Sequence, residues 1–274
     1  MKLRPATLQQ SAGSPAFALK DLVVIVAVIL LLAAVQLPLW GRGDSTGKSE
    51  QCRNNLRQLI LAWQMYSTDN HGEVVGNHGH DPETYAPTWA WGVLDYSSRF
   101  DNVNLDYLIN SQKTGQYGLL GPYVKTADSF RCPADTSQVS IFGRLLNRVR
   151  TVAMNNWMGG TNPNGQTGFR VFTRQSDIVG LPPSQAWVIQ DQREDNINDS
   201  VFTVDMVDTL AEYPGSYHSG GGFLSYADGH VDYRQWEDPR TNPELIKGVP
   251  LPSNVSTPAN PDLEWLRART TVAE

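Results

Sequence analysis

The sequence predicts an α+β fold, and two patterns carry that prediction. Apolar residues recur at helical spacing over residues 49–70, which is typical of an amphipathic helix lying on a protein core. The second half of the chain instead holds short apolar runs separated by turn residues, which are typical of strands. A helix packed on an antiparallel sheet, with loop-rich insertions, accounts for both patterns.

The chain starts with a leader-like segment, residues 1–16, followed by an apolar segment, residues 17–40. The fourteen residues 22–35 are all apolar. A helix over 22–40 would be about 28 Å long at roughly 1.5 Å per residue, which is close to the thickness of a bilayer's hydrocarbon core. The sequence therefore predicts a transmembrane anchor helix over 17–40, with the lipid bilayer as a partner.

Basic residues on both sides of the apolar segment bear on its orientation. Lys2, Arg4 and Lys20 precede it, which favours a cytoplasmic N-terminus by the positive-inside rule. Arg42 and Lys48 follow it, so the charge count by itself leaves the orientation open. We expect a single-pass protein of the cytoplasmic (inner) membrane with its N-terminus inside and its globular domain periplasmic or extracellular.

Residues 41–70 combine a linker with an amphipathic helix. Three glycines between 41 and 47 are expected to loosen or interrupt any continuous helix. The helix that follows carries one apolar stripe, formed by Cys52, Leu56, Leu59, Ile60, Trp63 and Tyr66. We expect this stripe to pack against the sheet.

A globular domain is predicted over residues 71–240, irregular up to about residue 148. The predicted strands follow at 149–157, 169–173, 186–190, 202–204, 222–226 and 231–236. Ala227-Asp228-Gly229-His230 joins the last two, and Asp-Gly between alternating apolar residues predicts a hairpin. Residues 241–274 form a proline-rich tail that is predicted to be loop or partly disordered.

Composition and motifs argue against two classes of function. The formal net charge is −6 and the isoelectric point is near 5.4, whereas a nucleic-acid surface needs clustered lysine and arginine. The common hydrolase, metalloprotease, phosphate-loop and dinucleotide-binding motifs are absent from the sequence. We therefore expect neither a nucleic-acid partner nor an enzyme.

The chain has two cysteines, Cys52 and Cys132. In an oxidising compartment they could form a disulfide that closes a loop of about 80 residues. The alternative is a pair of buried free thiols, and the sequence leaves both states open.

An acidic loop, defined here as residues 191–199, holds four carboxylates: Asp191, Glu194, Asp195 and Asp199. Oxygen-rich loops suit Ca²⁺, which accepts six to eight oxygen ligands in flexible geometry. The spacing is not that of an EF-hand, because the glycine and the terminal glutamate are missing. The alternative is a solvated turn whose side chains cap backbone groups, so calcium stays an open cofactor candidate.

The segment around His218 offers a second candidate site. A hairpin could place His218 near Asp228, where a hydrogen bond from the imidazole to the carboxylate would lock the turn. With Asp191 nearby, the same group could instead bind a divalent metal ion. Of these two, the sequence favours the structural role.

The N-terminal part of the chain resembles that of type IV pilins and type II secretion pseudopilins. In those proteins a short basic leader is cut just before a phenylalanine, and an acidic residue follows four positions later. Phe17 and Asp21 match this arrangement, and Pro38 stands where the family often has a helix-kinking proline. Ala16 takes the place of the usual glycine before the cut.

The C-terminal half carries a second part of the resemblance. His218, nine further residues and then Asp228-Gly229 match the H-x9-DG pattern of a large pilin-like family with a prepilin-type N-terminus. Residues 52–59 and 130–135 also resemble segments of that family. The signals occur in the family's order over residues 17–240.

The resemblance implies a pilin-like fold and a structural role. It implies a membrane-anchored subunit of a type II secretion or type IV pilus-like assembly, processed by a prepilin peptidase and assembled with itself and other pilin-like subunits. In such an assembly Asp21 would pair with the new N-terminal ammonium on Phe17 of a neighbouring subunit. The alternative is a membrane-anchored periplasmic binding or hydrolytic domain that uses the same anchor.

Overall fold

The computed structural model describes residues 19–80, 86–124, 126–160 and 166–274, without the side chains of 19, 21 and 30–44. Ala16 and Phe17 therefore lie outside the described residues, as do the side chains of Asp21 and Pro38. The chain divides into two compact units, Met1–Asp44 and Ser45–Glu274.

The long helix α1 spans Leu19–Asp69. It includes the glycines between 41 and 47, so the predicted interruption there is wrong. A glycine costs a helix about 1 kcal/mol relative to alanine, but it keeps both backbone hydrogen-bonding groups and the ladder can continue. Within the described residues, no helix is both long and apolar enough to cross a membrane. The predicted anchor over 17–40 includes residues whose side chains are not described.

Among its described residues, the second unit contains nine strands and three further short α-helices. The strands are β1 (Gln138–Ile141), β2 (Arg144–Asn147), β3 (Val152–Asn155), β4 (Trp187–Asp191), β5 (Val201–Phe202), β6 (Thr209–Leu210), β7 (Gly221–Tyr226), β8 (Val231–Gln235) and β9 (Val255–Ser256). The helices are α2 (Asp106–Ile109), α3 (Ser111–Thr114) and α4 (Pro261–Arg267). Short 3-10 turns lie at Phe100–Val103, Gly121–Tyr123, Ala127–Phe130 and Gln175–Asp177.

The central sheet has five strands in the order β5-β3-β4-β7-β8. Three of its pairings are antiparallel, while β5 lies parallel to β3, so the sheet is mixed at that edge. Strands β1 and β2 form a separate antiparallel hairpin, and β6 pairs with β9. The fold of this unit is α+β.

Five of the six predicted strands coincide with strands of this sheet, and the β7-β8 hairpin is confirmed. The strand predicted at 169–173 is wrong, because that segment makes only isolated bridges, Phe172 to Met158 and Phe169 to Ala273. The β1-β2 hairpin was not predicted. All four side chains of β2 are at least partly solvent-exposed, so its sequence lacks the apolar alternation of a half-buried strand.

One face of the sheet packs against α1. The apolar stripe is confirmed as the packing surface: Cys52, Leu56, Leu59, Ile60 and Trp63 are each at most 1% exposed, and Tyr66 packs at the edge of the same core. Val152 and Met154 of β3 and Phe223 of β7 belong to this core. Side chains alternate along a strand, which sends the residues between them to the opposite face.

A second, smaller core lies on that opposite face. Ala153, Trp187 and Leu224 of the sheet pack there with Leu263 and Leu266 of α4. The prediction of a loop or partly disordered tail is therefore wrong for α4. Its start is marked by Asn260, whose side chain accepts hydrogen bonds from the backbone N–H groups of Asp262 and Leu263. Because both faces of the sheet are covered, β4 and β7 are buried along their whole length.

Candidate metal centre

Four side chains from four separate parts of the fold converge in the first core. Cys52 lies on α1, Cys132 follows the 3-10 turn Ala127–Phe130, Asp191 ends β4, and His218 precedes β7. One ligating atom from each lies within 4.8 Å of those of all the others. We call these four residues the Cys–Asp–His cluster. All four are buried: Cys52, Cys132 and Asp191 are at most 1% exposed and His218 is 8% exposed.

Two short contacts organise the cluster. The Cys52 thiol donates a hydrogen bond to Asp191 Oδ2 at 2.9 Å. The Cys132 Sγ lies 3.3 Å from His218 Nε2. Both cysteines are free thiols. Of the two states that the sequence leaves open, a disulfide and a pair of buried free thiols, the structure therefore contains the free thiols. The same geometry nevertheless brings the two sulfur atoms within 4.8 Å of each other.

Asp191 is positioned by the sheet and by a neighbouring glycine. Its residue pairs with Val152 of β3, and its carbonyl accepts a hydrogen bond from the Gly215 N–H at 2.6 Å. A Cβ atom on Gly215 would lie 2.5 Å from the Cβ of Asp191. A glycine is required at 215 because any side chain there would displace the aspartate.

His218 is positioned by a tight turn. Its backbone exchanges two hydrogen bonds with Gly221, each 3.2 Å long. The central residues Ser219 and Gly220 have φ values of 55° and 82°, and positive φ at both positions is the signature of a type I′ turn. The imidazole also packs edge-on against the Phe223 ring, with 5.1 Å between ring centroids.

Cys132 is held by its backbone. Its N–H donates to the Thr151 hydroxyl at 2.7 Å, and its carbonyl accepts from the Asp135 N–H at 3.1 Å. Thr151 in turn precedes β3 and is itself buried. The cysteine is therefore attached to the central sheet and not to a mobile surface loop.

Burial shifts the pKa values of three cluster residues, Asp191, Cys52 and His218, towards their uncharged forms. It raises the pKa of Asp191 to about 7 and the pKa of Cys52 well above its usual range, and it lowers the pKa of His218. Among the described residues, Asp191 Oδ1 has no hydrogen-bond partner. The cluster therefore contains one buried carboxylate oxygen without a hydrogen-bond partner in the described part of the chain.

This environment does not suit a catalytic thiol. The thiolate is the reactive form of cysteine, and reactive cysteines sit in electropositive, partly exposed surroundings. Cys52 and Cys132 are almost fully buried. Sulfur, imidazole and carboxylate donors that converge in a protein interior are instead the ligands of transition-metal ions.

Residues 49–181 match the model of a family described as a protein of unknown function, DUF1559. That segment contains Cys52 and Cys132 and ends before Asp191 and His218. A search of curated proteins found no match, and neither did a search of solved structures.

The predicted bond between His218 and Asp228 is wrong. Asp228 Oδ1 lies 2.6 Å from His230 Nδ1 in the exposed turn between β7 and β8. His218 lies at the opposite end of β7, and a six-residue strand separates its ends by roughly 17 Å or more. Gly229 has a φ of 96°, as the predicted Asp-Gly hairpin requires.

The four carboxylates predicted to bind calcium do not converge. Only Asp191 enters a group of three or more ligating side chains among the described residues. Asp195 forms two hydrogen bonds with Arg193, at 2.9 and 2.8 Å, and Asp199 accepts from the Val201 N–H. Glu194 faces Asp135, and burial together with that neighbour raises the pKa of Glu194 to about 7.

All four cluster residues belong to sites predicted from the sequence, but to three different ones. The cysteines were a disulfide candidate, Asp191 belonged to the calcium loop, and His218 belonged to the H-x9-DG motif. A divalent metal at His218 and Asp191 was one of the alternatives. The sequence gives little indication that the four residues meet, because Cys52 and Asp191 are 139 positions apart and Cys132 and His218 are 86 positions apart.

Proposed function

We propose that the protein is a membrane-anchored, pseudopilin-like structural subunit of a type II secretion or type IV pilus-like assembly. The observation that carries the proposal is the character of α1. Near its start, the apolar side chains between Leu22 and Ile29 are exposed, and near its end an apolar stripe is buried in the core of the second unit.

The exposed apolar part of α1 needs a non-aqueous partner. Eight successive residues, 22–29, cover the whole circumference of a helix with 3.6 residues per turn. A helix that is apolar on all sides is stable where it is surrounded by lipid or by other apolar helices. A cytoplasmic membrane and a bundle of pilin-like helices both supply such surroundings.

Asp21 stands at the entrance of this apolar stretch, and its position supports an assembly role. A carboxylate at the edge of a hydrocarbon layer is costly unless it is paired. If a prepilin peptidase cuts between Ala16 and Phe17, the new N-terminal ammonium of a neighbouring subunit is a suitable partner. This pairing would set the axial offset between subunits, while the second unit supplies contacts on the outer side of the membrane.

The first test is the N-terminus of the protein purified from membranes. We expect mass spectrometry to find a chain that begins at Phe17 and carries a methylated amine. A chain that retains Met1, or that is cut after Ala34, would contradict processing as a pilin-like subunit. Either result would favour the rival function, a membrane-anchored periplasmic binding or hydrolytic domain.

The second test is assembly of an Asp21→Ala chain. We expect cross-linked oligomers to fall by at least about tenfold, the change that corresponds to 1.4 kcal/mol of pairing energy. Asp44→Ala removes a carboxylate from the same helix and serves as the matched control. Asp21→Glu retains the charge and should assemble. Equal assembly of the Asp21→Ala chain and the wild type would contradict the proposal.

A further inference from the structure

The Cys–Asp–His cluster has no part in the proposed assembly role, and it suggests a separate property. We propose that Cys52, Cys132, Asp191 and His218 bind one transition-metal ion, with Zn²⁺ as the preferred occupant, in a closed site that stabilises the second unit. This inference does not depend on the proposed function, because it rests only on residues of the domain core.

The donor set selects this class of metal. Two sulfur donors with one imidazole nitrogen are typical of structural zinc sites, and a carboxylate oxygen is a common fourth zinc ligand. Calcium and magnesium instead require mainly oxygen ligands. Four protein donors leave no open coordination position, which is the arrangement of a structural rather than a catalytic zinc site.

The distances allow a tetrahedral ion after small shifts of the side chains. In a tetrahedral zinc site, sulfur lies about 3.6 Å from a nitrogen or oxygen ligand. Cys132 Sγ lies 3.3 Å from His218 Nε2, and Cys52 Sγ lies 2.9 Å from Asp191 Oδ2. The shorter contact is a thiol hydrogen bond, and the metal ion would replace its proton.

The charge of the site also favours a bound metal ion. Among the described residues, no lysine or arginine forms an ion pair with Asp191. Its Oδ1 atom also lacks a hydrogen-bond partner there, although the side chain is 1% exposed. A buried carboxylate that lacks a cationic partner is costly, and a divalent cation would supply the missing positive charge.

The backbone holds the ligands in place without the metal. The reciprocal hydrogen bonds between His218 and Gly221, the close approach of Gly215 to Asp191, and the bond from Cys132 to Thr151 each restrain one ligand. Such supporting contacts orient the ligands of a metal site and raise its affinity.

Binding releases protons in a defined way. Cys52 and Cys132 each lose the thiol proton to solvent, Asp191 binds as a carboxylate, and His218 binds through the Nε2 lone pair with its proton on Nδ1. A disulfide between the two cysteines would remove both sulfur ligands. The proposed site therefore requires both thiols to be reduced.

The test uses the full-length chain, purified in detergent under reducing, oxygen-free conditions. We expect one Zn²⁺ per chain by native mass spectrometry and elemental analysis. Co²⁺ should bind with the same stoichiometry and give the sulfur-to-cobalt charge-transfer bands and intense visible bands of a tetrahedral thiolate site. Cys132→Ser and His218→Ala should weaken binding by at least about 100-fold, because each removes a direct ligand.

The matched control is His230→Ala, which removes the exposed histidine at the other end of the same hairpin and should leave binding unchanged. If a ligand variant fails to fold, the Co²⁺ spectrum of the wild-type chain decides. A reduced wild-type chain without stoichiometric metal would overturn the proposal, and so would a Co²⁺ spectrum without thiolate bands. Equal loss of affinity in the His218 and His230 variants would also overturn it.

Discussion

The acidic loop and the Cys–Asp–His cluster share Asp191 but differ in how their members come together. In the acidic loop, carboxylates that are neighbours in sequence separate in space, since Asp195 binds Arg193 and Asp199 binds the backbone of Val201. In the cluster, residues as far as 139 positions apart lie in contact. Proximity in sequence therefore did not identify the site that the fold assembles.

The difference follows from the direction of each side chain. Asp191 is the last residue of a strand, so the pleat sends its side chain to the face that α1 covers. The residues after it form turns, where successive side chains leave in different directions. Each remaining carboxylate of the loop then finds a separate partner.

In the acidic loop, the Arg193–Asp195 ion pair should contribute most to stability. Asp195→Ala leaves the Arg193 guanidinium buried without its carboxylate, since both side chains are at most 2% exposed. We expect the free energy of unfolding to fall by about 3–5 kcal/mol. Urea denaturation, monitored through tryptophan fluorescence, measures this change. Asp228→Ala, in an exposed turn, should change it by less than about 0.5 kcal/mol. If the free energy of unfolding falls as little in the Asp195→Ala chain as in the Asp228→Ala chain, Asp195 has no structural role.

The next effect concerns removal of metal from the cluster. At a free Zn²⁺ concentration about 100 times the Kd, binding should add about 2.7 kcal/mol of stability, or roughly 5–10 °C in melting temperature. A chelator should reverse this gain, as followed by thermal denaturation of the reduced chain. The His218→Ala chain should show no Zn²⁺-dependent gain. If the chelator lowers the melting temperature of the His218→Ala chain as much as that of the wild type, the metal binds at another site.

A smaller effect concerns the pH dependence contributed by Glu212. Burial, and then the charge of Asp199, raise the pKa of Glu212 well above its usual value, while Arg150 opposes the shift. Because the folded pKa lies above the unfolded value, the stabilising contribution is complete below about pH 4.5 and is lost as the pH rises through the folded pKa. Glu212 should contribute at most about 1.4 kcal/mol per pH unit to the fall in stability in that window.

Glu212→Gln should remove this contribution and leave a shallower slope from the other buried acids, because the amide has no charge to bury and its oxygen can still accept from the Thr203 N–H. Urea denaturation at a series of pH values measures the slope. Glu264→Gln on the exposed side of α4 should retain the wild-type slope. An unchanged slope in the Glu212→Gln chain would assign the pH dependence to other groups.

The smallest expected effect is that of calcium. The carboxylates of the acidic loop already bind protein groups and do not converge, so we expect no folded-state calcium site there. Millimolar Ca²⁺ should change the free energy of unfolding by less than about 0.3 kcal/mol, because only a ligand that binds the folded state stabilises it. The calcium hypothesis would be restored if Ca²⁺ raised the free energy of unfolding in a saturable way and the Asp199→Asn chain showed no such increase.

Much of the fold could be predicted because its signals are local. The stripe from Cys52 to Tyr66 follows the period of a helix, and Asp228-Gly229 lies between two alternating runs, so both elements were found. Helix α4 in the tail is not predicted, because the prolines of residues 241–274 favour a loop. The Asn260-Pro261 pair was in fact a helix start, with a capping side chain and a proline in the first turn.

The sequence alone specifies which residues carry chemistry and which surfaces are apolar, because hydrophobic periodicity and turn residues act over a few positions. It already contained the two cysteines, the acidic loop and the histidine of the H-x9-DG pattern. The partners of these residues depend on the tertiary fold, since contacts between α1, β4 and the turn before β7 arise from the packing of elements that are distant in sequence. The fold thereby paired His218 with Cys132 and left Asp228 to His230.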